Sequence, residues 1–289
     1  MPDMHPLQLG PLIDRALEED WGHGDWTTDI AVTTTSLATA QIITRKPTVL
    51  AGLEIAQAVF LRVDPRLTVT SSISNGSSVA SDTCLLEISG KSRSILKGER
   101  VALNFLSRLC GIAAKTRDYT RVLEGKKTQL LDTRKTTPGL RLLEKSATRL
   151  GGARNHRLCL TDGVLIKKNH IRAAGGISKA VGRLLESLPP TLKIEVEVTN
   201  LDEVHEAIDA GADLLLLETM SIPEMALAVR TVRGRALLEA AGEISLENLE
   251  AIAATGVDFI STGAIIHGAS WANLSLFFIE TMDPAGTLL

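Results

Sequence analysis

Basic residues are concentrated in one stretch of the sequence, residues 134 to 172. This stretch holds ten Lys or Arg residues, only two carboxylates and no Phe, Trp or Tyr, in a chain whose formal net charge at pH 7 is −3. A protein that needs charge only for solubility spreads it over its surface. The concentration therefore predicts a local binding site for anions. Single-stranded nucleic acid is a poor candidate ligand, because it stacks on aromatic side chains.

Three short motifs in or next to this stretch carry the groups that could contact an anion. They are Asp132-Thr133-Arg134-Lys135-Thr136-Thr137-Pro138-Gly139, Asn155-His156-Arg157 and Leu165-Ile166-Lys167-Lys168. Arg offers a planar fork that binds a carboxylate or phosphate through two hydrogen bonds, and Lys offers a point charge. Taken alone, Arg134 and Lys135 could also be a solvated loop pair, and His156 and Arg157 could be structural.

The second half of the chain repeats an apolar run that ends in a polar residue. Four of these runs end at Glu197, Glu218, Glu239 and Ser261, about 21 residues apart, which suits one strand, one helix and two short loops. Helices are predicted between them, at residues 201–210, 223–232 and 245–254. Repeated βα units with apolar strands predict a covered parallel sheet, and six or seven units favour a barrel. Functional groups then lie at the carboxyl ends of the strands.

Carboxylates and glycine turns follow these predicted strands. Glu197 and Glu218 would end consecutive strands, where carboxylate oxygens can hold Mg²⁺ partly through water, although salt bridges to the basic groups are an alternative. Ala241-Gly242-Glu243 and Thr262-Gly263-Ala264 follow the last two strands, and such turns commonly bind a phosphate through backbone N–H groups. Glu239 is interpreted as a buried partner of the basic groups rather than a catalyst.

The first part of the chain has a different pattern. Short strands are predicted near residues 40–44, 67–73 and 84–88, a helix at 53–63 and a long amphipathic helix at 98–123. We therefore predict a first domain at residues 1–116 and a barrel domain at 117–269, with the tail 270–289 packing back on the first domain.

The cysteines and the apolar runs bear on the cellular compartment. Cys84, Cys110 and Cys159 lack the spacing of a zinc site and are predicted to be buried thiols in a reducing compartment. No apolar run approaches the roughly 18 residues of a membrane span, and the first residues do not have the pattern of a secretory signal. We expect a cytoplasmic protein with no membrane partner.

Together these motifs resemble the quinolinate phosphoribosyltransferase family (nicotinate-nucleotide pyrophosphorylase, carboxylating). The resemblance runs over nearly the whole chain and is most specific at residues 132–141 and 155–170; residues 17–25, 99–105 and 256–261 also match. It implies an α/β protein with an N-terminal α/β sandwich domain and a C-terminal incomplete (βα) TIM-like barrel, working as a homodimer. It also implies a pentosyltransferase of NAD biosynthesis, which transfers the phosphoribosyl group of PRPP to quinolinate and releases CO₂, pyrophosphate and nicotinate mononucleotide.

The resemblance also implies roles for individual residues. The quinolinate carboxylates would be held by Arg134, His156, Arg157 and Lys167, with Thr133 in the same motif. Lys135 would lie beside the pyrophosphate, and Arg100 would reach in from the partner subunit. Glu197 and Glu218 would serve Mg²⁺ and PRPP, and the turns at 241–243 and 262–264 would take the 5′-phosphate. Lys135, Lys167, Glu197 and Glu218 are the residues it points to for catalysis.

The sequence departs from the family pattern at two places. The family usually has Asp-Asn at 218–219, where this chain has Glu218-Thr219, and Ser-Gly followed by Gly or Asn at 241–243, where it has Ala241-Gly242-Glu243. The first change lengthens a carboxylate by one methylene. The second removes a hydroxyl and adds a negative charge near a phosphate.

Three other functions are compatible with parts of the pattern. One is a paralogous phosphoribosyltransferase for nicotinate or another small acid, although nicotinate has a single carboxylate and the basic set is larger than it needs. Another is a non-catalytic barrel that binds quinolinate or a similar anion. The last is an aldolase that forms a Schiff base on Lys167.

Overall fold

The computed structural model describes residues 6–282, and its contacts divide the chain into two compact units. The first unit takes Met1–Lys115, Pro138–Gly151 and Ala269–Leu289, and the second takes Thr116–Thr137 and Gly152–Gly268. Residues 138–151, which the sequence predicts as part of the barrel, thus group with the first unit. None of the described helices is long and apolar enough to cross a membrane.

Helices and strands alternate along most of the described chain. The helices are α1 Pro6–Trp21, α2 Trp26–Ala31, α3 Leu53–Val63, α4 Ser92–Val122, α5 Arg141–Leu150, α6 Lys168–Ala174, α7 Ile177–Ser187, α8 Leu201–Asp209, α9 Ile222–Val232, α10 Leu246–Ala253 and α11 Ala264–His267. The strands are β1 Leu37–Thr44, β2 Thr48–Val49, β3 Thr68–Thr70, β4 Ser78–Val79, β5 Cys84–Lys91, β6 Gln129–Leu131, β7 Val164–Ile166, β8 Ile194–Val198, β9 Leu214–Glu218, β10 Leu237–Ala241, β11 Phe259–Ser261 and β12 Leu274–Met282.

The first unit is built on an antiparallel sheet with the strand order β12-β1-β5-β3. Alternate residues of β1 are buried, including Ala38, Ala40 and Ile42, as expected for a strand with one face on the core. The helix α3 has the predicted bounds, and it buries an apolar face that includes Val59 and Phe60. An amphipathic helix and a half-buried sheet thus share one hydrophobic core.

The tail of the chain is part of this first unit. Its strand β12 pairs with β1, and Ala272 N donates a hydrogen bond to Ser107 O at 2.9 Å. Gly111 on α4 has no room for a side chain, because a Cβ there would collide with the carbonyl oxygen of Ser270. The close approach of the tail to the helix therefore requires glycine at 111. Residues 283–289 of the predicted tail lie outside the described residues.

The second unit is built on six parallel strands in the order β6-β11-β10-β9-β8-β7. Among the described residues, β6 and β7 form no ladder with each other, and Leu131 instead makes a single parallel bridge to Arg154. Apolar strands such as β9 are almost fully buried, which is typical of a parallel sheet covered by helices. The predicted α/β class, with an N-terminal domain and an incomplete barrel, is confirmed.

The helices of this unit begin at well-defined caps. In α9, Glu224 N donates to Ser221 Oγ and the Glu224 carboxylate accepts from Ser221 N at 2.7 Å, which is the reciprocal pairing of a capping box. In α8, Asn200 Oδ1 accepts from Glu203 N at 2.9 Å. These caps fix where each strand-to-helix turn ends, and therefore which residues remain at the carboxyl ends of the strands.

Two expectations need correction. The strand containing Glu239 does not end there, since β10 continues to Ala241 and Glu239 is a buried residue inside it. The prediction of three buried thiols holds only for Cys110, because Cys84 and Cys159 are partly exposed; all three are free.

Candidate active site

A cavity of about 250 Å³ opens at the carboxyl ends of the parallel strands of the second unit. It is lined by Thr133, Arg134, Lys135, His156, Arg157, Leu165, Lys167, Leu216, Glu218, Glu239, Ala241, Gly242, Ser261, Thr262 and Gly263. The lining therefore combines four permanent cations with two glycine-containing turns. In a parallel barrel this edge is where ligand sites form.

Most of the predicted site residues lie in this lining, and four do not. Glu197 is outside it, and its Oε1 accepts a weak hydrogen bond from Lys168 N at 3.4 Å. Glu243 is exposed, and Ala264 begins α11 beyond the second turn. Arg100 belongs to the first unit and is exposed on α4. The remaining eleven predicted residues line one cavity.

Only some of the basic residues of the stretch 134–172 lie at the cavity. Of its cations, only Arg134, Lys135, Arg157 and Lys167 line the cavity. Those on α5 group with the first unit, where Lys145 is completely buried. Arg154 lies over the Phe259 ring, 5.8 Å from its centroid, and serves the packing of the second unit rather than an anion.

A buried carboxylate positions the segment that carries His156. Asp132 directly follows β6 and has no exposed surface. Its Oδ1 accepts from His156 N at 2.9 Å and its Oδ2 accepts from Asn155 Nδ2 at 2.6 Å. A buried carboxylate must be satisfied by such donors. Hydrogen bonds to Asp132 therefore join the first motif to the Asn155-His156 motif.

Beneath His156 lie two buried carboxyl groups, those of Glu195 and Glu239. His156 Nε2 is 3.1 Å from Glu195 Oε2 and 3.6 Å from Glu239 Oε2. Burial, and then the neighbouring Glu195, raise the pKa of Glu239 to about 7. Two carboxyl groups this close cannot both ionise easily in a buried site. The proposed reading of Glu239 as a buried partner of a basic group fits this geometry, whereas Glu195 was missed.

A short loop after His156 holds Arg157 in place. Arg157 Nη1 donates to Gly163 O at 2.8 Å. Asp162 closes the loop, since its Oδ2 accepts from Leu158 N at 2.9 Å and from Cys159 N at 3.0 Å. Burial, followed by the nearby Arg134, lowers the pKa of Arg157. Two guanidinium groups held close together favour the binding of an anion, which would relieve their repulsion.

The second glycine turn brings a further histidine close to Lys135. A Cβ at position 263 would lie 2.9 Å from His267 Cδ2 and 3.0 Å from Lys135 Cδ, so a larger residue there would displace one of these side chains. His267 was not predicted as a site residue. The only signal for it in the sequence is its distance of four residues from the turn, which is one turn of a following helix.

Lys167 lies between the end of β7 and the start of α6. It is the N-terminal cap of that helix, and its backbone N donates to His170 Nδ1 at 2.9 Å. His170 therefore takes part in the cap of this helix. The cap fixes the backbone of Lys167, whose side chain lines the cavity.

Two sets of residues have donor atoms that suit a metal ion. Glu197 pairs with Leu216 in the sheet, so Glu197 and Glu218 lie on the same face of neighbouring strands; carboxylate oxygens there suit Mg²⁺. His156, Glu195 and Glu239 form the other set, with one ligand atom each within 4.8 Å of the others. The hydrogen bonds of His156 decide against this second set, as described below.

Comparisons with known proteins cover almost the full chain. The model of the quinolinate phosphoribosyl transferase N-terminal domain matches residues 25–110, and that of the C-terminal domain matches residues 112–277. A probable nicotinate-nucleotide pyrophosphorylase (carboxylating) from Synechocystis is 44% identical over 275 residues, which is 94% of this chain and 93% of the relative. A Bacillus subtilis protein of the same name is 35% identical and covers 94% of each chain.

A solved structure agrees with this relationship. The nicotinate-nucleotide pyrophosphorylase from Francisella tularensis superimposes with a TM-score of 0.91 at 41% identity, covering 96% of this chain and 98% of that one. The family models, the relatives and the solved structure all point to the same family. The chain belongs to the quinolinate phosphoribosyltransferase family.

Proposed function

We propose that the cavity at the strand ends is the active site in which this enzyme transfers the phosphoribosyl group of PRPP to quinolinate, with loss of CO₂. The observation that carries the proposal is the convergence of Arg134, Lys135, Arg157 and Lys167 with two glycine turns in one cavity. The two substrates together carry two carboxylates, a phosphate and a pyrophosphate. A site for them needs several cations and backbone donors within a small volume.

The quinolinate carboxylates are assigned to Arg134, Arg157 and Lys167. The two guanidinium groups can each bind a carboxylate through two hydrogen bonds, and the Lys167 ammonium supplies a point charge. Because Arg157 is held by Gly163 O at 2.8 Å, its orientation is set before the ligand arrives. Preorganisation of this kind reduces the entropy lost on binding.

PRPP is assigned to the other part of the same cavity. The turns containing Gly242 and Gly263 line it and would hold the 5′-phosphate through backbone N–H groups, with Lys135 beside the pyrophosphate. Glu197 and Glu218 would hold Mg²⁺ through their carboxylate oxygens. When bound, this ion would neutralise charge on the pyrophosphate oxygens.

No nucleophilic side chain is required for this reaction. The pyridine nitrogen of quinolinate attacks the ribose C1′ while pyrophosphate departs, so the enzyme positions the two substrates and stabilises charge. The C1′–O bond breaks, and its electrons leave with pyrophosphate. In the second step the bond between the ring and the 2-carboxylate breaks. The carboxylate leaves as CO₂ and the bonding electrons stay on the ring carbon, where the cations Arg134 and Lys167 stabilise the developing negative charge. A proton from water then adds to this carbon and gives nicotinate mononucleotide.

A homodimer is proposed as the functional unit, with Arg100 supplied by the partner subunit. Arg100 is exposed on α4, and an exposed guanidinium is available to an anion bound by another chain. This assignment is the one that the family resemblance implies, and heterodimer complementation tests it.

The decisive experiment is an assay of the purified protein with quinolinate, PRPP and MgCl₂, following nicotinate mononucleotide by chromatography and CO₂ from carboxyl-labelled quinolinate. We expect both products in equal amounts. Nicotinate in place of quinolinate is the matched control and should give little product. Product formed with nicotinate but not with quinolinate would favour the paralogous enzyme. Calorimetric binding of quinolinate without any product would favour the non-catalytic barrel.

A further inference from the structure

We propose that His156 is a positioning residue rather than a ligand of the substrate, and that the buried pair Glu195 and Glu239 holds its ring. The proposal rests on the function proposed above for the cavity. Its evidence is the hydrogen bonding of the two ring nitrogens, both of which already have partners within the protein.

The first ring nitrogen, Nδ1, is an acceptor. Arg157 N donates a hydrogen bond to His156 Nδ1 at 2.7 Å. A nitrogen that accepts a hydrogen bond carries a lone pair and no proton. The ring is therefore not the doubly protonated cation, and its single proton is on Nε2.

The second ring nitrogen, Nε2, is accordingly a donor, and it points at the two buried carboxyl groups. Glu195 Oε2 is 3.1 Å away and Glu239 Oε2 is 3.6 Å away. The side chains of Glu195 and Glu239 are 7% and 2% exposed, so little water competes for this proton. The opposite ring orientation would place ring carbon atoms opposite Arg157 N and Glu195 Oε2 and lose both of these hydrogen bonds.

The same geometry argues against a metal ion at His156, Glu195 and Glu239. A metal would need the lone pair of Nε2, and the neutral ring would then carry its proton on Nδ1. That proton would face the N–H group of Arg157, which is itself a donor. The site therefore suits a proton on His156 Nε2, facing the two carboxyl groups, and not a metal ion.

The consequence is a rigid connection from the barrel interior to Arg157. Glu195 on β8 and Glu239 on β10 fix one side of the ring, and the other side fixes the backbone of Arg157. Asp132 fixes the backbone of His156 through the bond from His156 N at 2.9 Å. The Arg157 guanidinium, rather than the imidazole, is then the group that meets the substrate carboxylate.

The direct test is nitrogen NMR of the protein labelled with ¹⁵N-histidine. The chain has six histidines, and His156→Gln identifies the relevant signals. We expect a protonated Nε2 and an unprotonated Nδ1, both in the free protein and with saturating quinolinate. A proton on Nδ1 in the free protein, or a switch of tautomer when quinolinate binds, would overturn the proposal. This readout does not depend on turnover, so it stands apart from a failure of the proposed reaction.

A pair of variants at Glu195 tests the positioning role. Glu195→Gln keeps a carbonyl oxygen that accepts from Nε2, and Glu195→Leu removes the acceptor at similar volume. We expect Glu195→Leu to weaken calorimetric quinolinate binding by about 10-fold or more, since loss of positioning can cost up to about 100-fold. Glu195→Gln should restore most of the affinity. If Glu195→Leu keeps the tautomer of His156 and binds quinolinate like the parent, Glu195 does not position the ring.

Discussion

Thr219 has a backbone φ of 58°, in the left-handed region that β-branched residues avoid. It directly follows Glu218, which lines the active-site cavity. The exposed Thr219 side chain donates from Oγ1 to Glu218 O at 2.7 Å. The left-handed conformation costs an ordinary residue about 1–2 kcal/mol, whereas Asn adopts it readily. Thr219→Asn should therefore stabilise the protein.

The expected gain in the free energy of unfolding is the strain relieved at residue 219 minus the hydrogen bond lost there. Relief of strain contributes about 1–2 kcal/mol. Loss of the exposed Thr219 hydrogen bond costs about 0.5 kcal/mol, because water replaces it. The net gain is about 1 kcal/mol, or a rise in Tm of roughly 2–4 °C. Thr219→Gly should gain less, since glycine raises the entropy of the unfolded chain by about 0.5–1 kcal/mol.

Thermal unfolding followed by circular dichroism measures the effect. Thr34→Asn is the control, because Thr34 is exposed in a turn and its φ is not positive; it should shift Tm little. An unchanged or lower Tm for Thr219→Asn, with Thr34→Asn neutral, would refute the strain argument. A higher Tm with a lower kcat would show that the strained turn contributes to activity, as strained residues at functional sites can.

Four further outcomes are expected. Arg134→Lys should lose about 2–4 kcal/mol of transition-state stabilisation, because Lys lacks the bidentate geometry; kcat/KM within about threefold of the parent would remove Arg134 from the site. Arg100→Ala and Lys167→Ala should each be inactive, and mixing them should restore activity in heterodimers; no recovery after subunit exchange confirmed by mass spectrometry would place Arg100 outside the partner's site. Glu243 is exposed and outside the cavity lining, so Glu243→Gln should change the KM for PRPP by less than about twofold at physiological salt; a several-fold fall would mean that its carboxylate faces the phosphate. Burial raises the pKa of Cys110 to about 12, so its thiol should react with a disulfide reagent only after unfolding; rapid reaction in the native protein would contradict its burial.

Local patterns predicted much of the fold. The apolar periodicity of α3 identified both of its ends, since an amphipathic helix buries residues at regular spacing. The regular spacing of apolar runs likewise identified the strands of the barrel. Strand ends were less certain, because β10 continues two residues past Glu239 to Ala241. A polar residue inside an apolar run looks like its end unless the burial of that residue is known.

The buried carboxyl groups beneath His156 show the same limit, namely that burial is not visible in a local pattern. Glu195 and Glu197 alternate along one strand, so the sequence places both side chains on one face of the sheet. Only Glu197 was predicted as a site residue, because it lies nearer the carboxyl end. The structure buries Glu195 against His156 and leaves Glu197 outside the cavity lining. The alternation of side chains along the strand was a usable signal for Glu195, but it did not show that Glu195 would contact His156.

The amino-acid sequence by itself determined the parallel barrel, the motifs that carry its cations and the glycine turns, because these depend on periodicity and on residues close together in the chain. Tertiary structure decided which cations share the cavity and which pack elsewhere, as Lys145 does. It also decided the tautomer of His156, whose carboxylate partner Glu195 lies 39 residues away in the sequence. The physical reason is that strand register and burial, which bring distant side chains into contact, are set by the packing of the whole unit and not by any local pattern.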